Sequence, residues 1–233
     1  MPSTLLLQLV GPMQSWGFRS RFDNRDTALE PTRSGVIGLL CSALGFGRDV
    51  DLSQFEALKM GVRVEKAGRV ALDYQTAQPI WRAGPNAGTV QSNRYYLSDA
   101  RFLVGLQSDN TAQLEILEHA LKNPVWPLFL GRKSFAPAAP IHLDASGIRE
   151  GGVEEVLRAQ TWLYFSEKER RGAPMLSRNL RLTLESDSPA QGVAVPDVPR
   201  DFERRRYGVR YLQNLFCDAP AVAKHPLCLE VSP

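Results

Sequence analysis

Several short stretches of this chain carry the residue types from which an anion or nucleic-acid site is built. Gly131-Arg132-Lys133-Ser134 sets a glycine, two cations and a hydroxyl in succession. Pro31-Thr32-Arg33-Ser34-Gly35 stands where a helix begins, because Val36, Leu39, Leu40, Ala43 and Leu44 recur at the spacing of one apolar face before Gly45 and Gly47. Thr32 or Ser34 can cap that helix. Arg33 opposes its positive end by a few tenths to ~1 kcal/mol, and a bound phosphate would remove the mismatch. Gly11-Pro12-Met13-Gln14-Ser15-Trp16-Gly17 is a glycine-bracketed loop in which Gln14 or Trp16 could meet a base, although composition alone favours a Trp16 packed in the core. The polar connection that follows holds Arg19, Arg21 and Arg25, and Arg94 precedes Tyr95-Tyr96. Arg200, Arg204, Arg205, Arg206 and Arg210 put five arginines in eleven residues, a run whose plainest account is a solvated face partly offset by Asp201 and Glu203. The bases thus cluster while the acids are diffuse, a pattern that suits binding to an RNA backbone.

Catalytic patterns are weaker. The three histidines, His119, His142 and His225, show no metal-ligand spacing, and there is no nucleophile elbow, Walker loop or paired-carboxylate motif. No metal and no cofactor are expected. His142 follows Lys133 by nine residues and, with Tyr95 or Tyr96, could supply the acid and base of a metal-independent ribonuclease. Structural or surface histidines are the simpler account, so a non-enzyme is expected.

The elements that must position these residues can be read from pattern. The 233 residues are 43% hydrophobic and 23% charged, with a net charge of +3, enough for one large or two small domains. That balance excludes disorder, and the scattered glycines and prolines exclude collagen and coiled coil. Cys41, Cys217 and Cys228 match no zinc or redox spacing and read as reduced thiols. The longest apolar stretch, residues 36–46, is too short to span a bilayer, so a cytoplasmic protein without a membrane partner is expected. Residues 4–10 read as a buried strand and residues 61–74 as a hairpin around Ala67-Gly68, extended by a polar arm at 75–94 with its tip near Gly84 to Gly88. Then come an alternating strand at 99–107, a helix at Thr111 to Lys122 and a strand at 126–130. The expected class is α+β: a ferredoxin-like (RRM-like) βαββαβ domain over residues 1–145 with an inserted β-hairpin. A small β-rich domain at 146–217 should use strands near 161–166, 181–185 and 207–212, and residues 218–233 should form a flexible tail.

Taken together, the 11–17 loop, Pro31 to Gly35 with Gly38-Leu39-Leu40, Tyr96-Leu97-Ser98-Asp99-Ala100 and Leu130 to Ser134 resemble the Cas-five family of RAMP proteins that serves type I-E CRISPR Cascade complexes. The likeness covers roughly residues 4–143 in order. It implies a non-catalytic antiviral-defence subunit that caps the 5′ handle of the CRISPR RNA. It also implies a thumb-like hairpin at 75–94 and contacts with the backbone and large subunits. It places Gln14, Trp16, Thr32, Arg33, Ser34 and Gly35 at the loop and helix start that cradle the handle, with Arg25, Arg94, Arg132 and Lys133 as further RNA-binding positions. Some members of the family cleave precursor CRISPR RNA, and that is the alternative activity.

Overall fold

The computed structural model describes residues 1–17, 24–81, 87–143, 146–163 and 179–218. Arg19, Arg21, His225, Cys228, most of the arm's tip and nearly all of the expected tail lie outside those residues. In chain order the elements are β1 (Ser3–Val10), β2 (Met13–Gln14), β3 (Asn24–Arg25), α1 (Arg33–Leu44), β4 (Lys59–Lys66), β5 (Arg69–Trp81), β6 (Ala87–Ser98) and β7 (Arg101–Ser108). They continue with α2 (Thr111–Lys122), β8 (Ile148–Glu150), α3 (Val153–Ala159), β9 (Leu180–Ser186), β10 (Val193–Asp201) and β11 (Arg206–Cys217). The architecture is mixed α+β and rich in sheet. Among the described residues no helix is long and apolar enough to cross a membrane.

A seven-stranded antiparallel sheet, ordered β10-β11-β9-β4-β7-β1-β8, forms the body. β1 is buried at every position because both of its faces are covered. Leu5, Leu7 and Leu9 join the core under α1 and α2, while Leu6 joins a second cluster with Val156 and Leu157 of α3. α3 lies close to the sheet over Gly61 and Gly105, where a Cβ would come within 2.8 Å of Leu157 and Val153 side chains. α1 begins at an N-cap Thr32 that accepts from the Gly35 amide, and it ends at Gly45 with φ +74.

Three expectations are revised. The Ala67-Gly68 turn is present, yet β4 and β5 do not pair. Gly68 (φ +72) packs on Ser98 and Ala100 and passes the chain into a second sheet, where β5 pairs β6 along the hairpin. Residues 126–130 are not a strand, because Pro124 and Pro127 lack donors and the Val125 and Trp126 amides cap the Ala43 and Ser42 carbonyls of α1. The C-terminal strands form no separate β layer, since β9 pairs β4 and continues the main sheet; residues 161–163 are not a strand either. β8, α3 and β10 have no counterpart in the expected pattern.

Two buried charge groups lock this arrangement. Arg63 is fully buried; its Nε meets Glu65 Oε1 at 2.5 Å and its other nitrogens donate to the Leu157, Gln160 and Thr161 carbonyls. Glu65 Oε2 accepts from the Leu163 amide, so the pair ties the chain after α3 to the sheet. In the second group, Arg33 Nη1 and Arg210 Nη1 share Glu185 Oε1 at 2.7 and 2.8 Å. Arg210 also grips Asp197 with Nε and Nη2, each at 2.7 Å, and Asp197 Oδ2 accepts from the Arg33 amide at 2.8 Å.

Removing one member of a buried ion pair strands the other, at about 3–5 kcal/mol. Asp197→Ala and Glu65→Ala are each expected to lose stability of that order in urea unfolding, and a loss below ~1 kcal/mol would class them with screened surface pairs. Burial raises the Cys41 thiol to about 11. At pH 8 only about one part in a thousand is thiolate, so iodoacetamide should leave Cys41 unlabelled until denaturant is added; rapid labelling of the native protein would contradict this.

Candidate nucleic-acid interface

The loop after β1 is the hinge on which the site is built. β2 pairs with the end of β6, which brings Gln14 beneath the join of the two sheets. Its Nε2 donates to the Leu9 and Ala100 carbonyls at 3.1 and 2.8 Å, and its Oε1 accepts from Trp16 Nε1 at 3.1 Å. Gln14 is fully buried and Trp16 is 1% exposed. The indole lies against the first turn of α1, where a Cβ on Gly35 would approach Trp16 Cε3 to 2.7 Å. Neither side chain is exposed in this structure, and both hold the loop against the first turn of α1. Gly35 is required by the indole.

The helix start is likewise occupied from within. Arg33 is 4% exposed, and besides Glu185 it donates to the Phe55 and Glu56 carbonyls. The anion anticipated at this helix end is the Asp197 carboxylate, a member of the chain's own far strands. Thr32 serves as N-cap and Ser34 bonds it at 3.4 Å, both buried. These residues are engaged from within the chain and hold α1 in place. Within the late arginine run, Arg210 belongs to this buried network, Arg200 pairs with Glu56, and Arg204 faces Asp201.

Three arginines come together elsewhere. β3 pairs in parallel with β6, setting Arg25 beside Arg94. Arg94 lies opposite Asp73 in β5 and its Nε donates to Ser92 Oγ. Arg132 reaches the same strand: its Nη2 donates to the Tyr95 carbonyl at 2.7 Å, and its guanidinium carbon sits 5.2 Å from the centroid of the Phe135 ring. Tyr96 packs on that ring, with centroids 5.8 Å apart. The turn bearing Arg132 is pinned because the Ser15 amide donates to the Leu130 carbonyl, and because Gly131 (φ +92) would drive any Cβ to 1.7 Å from the Ser15 carbonyl.

The electrostatics of this group are unbalanced. Burial lowers the proton affinity of Arg132, the Arg94 and Arg25 charges lower it further, and Asp73 alone opposes them. Among the described residues, nothing accepts a hydrogen bond from the buried Arg132 Nη1. A desolvated donor beside like charges is costly, and an added anion relieves both terms. Asp73 went unnoticed in the sequence; its position opposite Arg94 in a two-stranded register was the available signal. Lys133 is exposed and lies apart from the three arginines' hydrogen bonds, lining a cleft beside α1 with Ser34 and Gly35.

His142 does not assemble the acid–base set that its spacing allowed. Its Nδ1 contacts the Leu143 carbonyl and its backbone bridges Leu7 of β1. Among the described residues no hydrogen bond joins it to Lys133, Tyr95 or Tyr96.

Comparison with known proteins gives the chain a family. Residues 4–213 match the family model described as CRISPR-associated protein (Cas_Cas5). The chain is 38% identical over 160 residues to the CRISPR system Cascade subunit CasD of Escherichia coli (strain K12), an alignment covering 61% of this chain and 71% of that protein. A solved structure described as a Cas protein superposes with a TM-score of 0.74 at 40% identity, covering 96% of this chain and 99% of the other. A chain of a CRISPR RNA-guided surveillance complex superposes with a TM-score of 0.76 at 28% identity, covering 96% and 94%. The chain therefore belongs to the Cas_Cas5 family of CRISPR-associated proteins.

Proposed function

We propose that this chain is a non-catalytic, RNA-binding subunit of a type I-E Cascade surveillance complex that holds the 5′ handle of the CRISPR RNA. The observation that carries the reading is the Arg25–Arg94–Arg132 group with its buried, unpartnered Nη1. A phosphate there would accept from that donor and offset the mutual repulsion of the three cations. The relatives named Cascade subunit and RNA-guided surveillance complex supply the context in which such a phosphate is CRISPR RNA.

The remaining features fit a division of labour. The strand order β8-β1-β7-β4 with α1 and α2 on one face suits a ferredoxin-like core, in which β8 takes the place expected at 126–130. The β5–β6 hairpin leaves that core as a thumb, longer than expected since it starts at Arg69, and exposes Val70, Leu72 and Tyr74. It would meet the adjacent backbone subunit, with the large subunit nearby. Cytoplasmic residence follows from the same assignment.

Phosphate contacts are read by salt. Arg94→Ala and Arg132→Ala are each expected to weaken handle-RNA binding and to lower the slope of log affinity against log salt by about 1. Unchanged affinity and slope in both variants would remove the arginine group from the interface. Purified protein incubated with labelled repeat RNA in EDTA should leave it intact; specific cleavage at the handle boundary would overturn the non-catalytic assignment.

A further inference from the structure

A cleft of about 950 Å³ opens between α1, the chain at 126–133 and the turn joining β10 to β11. Such a volume suits a small ligand or a few nucleotides. One position in it is not explained by the packing of the chain. Gly38 lies in the middle of α1, partly exposed, and a Cβ there would meet only Phe202 Cζ at 3.8 Å, an ordinary contact. Gly35, one turn earlier, is demanded by Trp16; among the described residues nothing demands Gly38. Glycine is nevertheless among the poorest residues in a helix interior. A bare helix surface at this point makes sense if something from outside lies against it.

The rest of the lining indicates what that is. Trp126, Phe202 and Tyr207 supply aromatic rings, and Lys133 and Arg205 supply exposed cations. Among the described residues lining the cleft there is no aspartate or glutamate. Lys133 follows Arg132 directly, so one pinned turn contributes both to the arginine group and to the cleft. Aromatic faces beside cations match single-stranded nucleic acid, whose bases stack while its phosphates pair. An acidic protein segment would also meet the cations, but it would not account for continuity with the arginine group.

We infer that this cleft receives an unstacked nucleotide of the bound RNA, its base against Phe202 or Tyr207 and the bare α1 surface at Gly38, its phosphate at Lys133 and Arg205. The inference rests on the reading of the chain as an RNA-binding subunit and extends it from phosphate grip to base contact.

The test uses the full chain and single-stranded RNA oligonucleotides with 2-aminopurine at successive positions, in low salt. One position should change its emission on binding, and Gly38→Leu should abolish that change and weaken affinity about tenfold, the loss of one stacked base. Gly38→Ala separates binding from folding: it should raise Tm by about 2–4 °C while still weakening the RNA severalfold. If both variants bind as wild type does while Arg94→Ala loses affinity, the cleft inference falls and the phosphate reading stands. If Gly38→Leu keeps RNA but drops a protein subunit from the assembled complex, the cleft is a protein dock and the inference is overturned. If the wild-type chain holds no RNA at low salt, both readings fall.

Discussion

The amino end of α1 concentrates positive potential: a helix dipole, free amides and a buried guanidinium. It is neutralised by Glu185 and Asp197, carboxylates 152 and 164 residues further along the chain, which Arg210 in turn holds. Two cations and two acids satisfy one another in this docking, so α1 and the β9–β11 strands meet in one register. Charge burial of this kind adds little net stability over apolar packing, but it penalises every alternative arrangement that leaves one member unpaired. The position of α1 then sets the seat of Trp16, and through the 11–17 loop the seat of the turn that carries Arg132.

The arginines thus divide into two populations that composition cannot separate. Arg33, Arg63 and Arg210 are internal fasteners with carboxylates at hand. Arg132 has the Arg94 and Arg25 charges beside it, and Asp73 is the carboxylate that offsets them. A surplus of charge that the fold leaves uncompensated marks where an outside anion belongs; a net charge of +3 over the whole chain does not.

Legibility in the sequence followed the range of the interactions involved. α1 and α2 could be read because caps, apolar spacing and stop signals lie within a few residues, and α2 spans the residues its pattern suggests. β1 and β7 were likewise plain. β8, α3 and β10 are short or polar outside, and they form because the main sheet offers them an edge or a face. At the site, each of Arg25, Arg94 and Arg132 was visible as a cation, but their meeting depends on a parallel pairing of β3 with β6 that no local signal announces. The interior partners of Gln14 and Arg33 were hidden for the same reason: Ala100 and Asp197 lie 86 and 164 residues away.

The two crossings that bound the β5–β6 hairpin adjoin each other. The chain departs at Gly68 and returns at Ser98 to Ala100, and a Cβ on Gly68 would strike the Ser98 carbonyl at 2.5 Å. Residues 69–98 are therefore an excursion whose ends are already closed by the core. Doubling the length of such an excursion adds only about 0.6 kcal/mol of closure entropy. The hairpin can be lengthened or shortened across descendants of this chain with little effect on the body, which makes its reach an evolvable dimension separate from the fold.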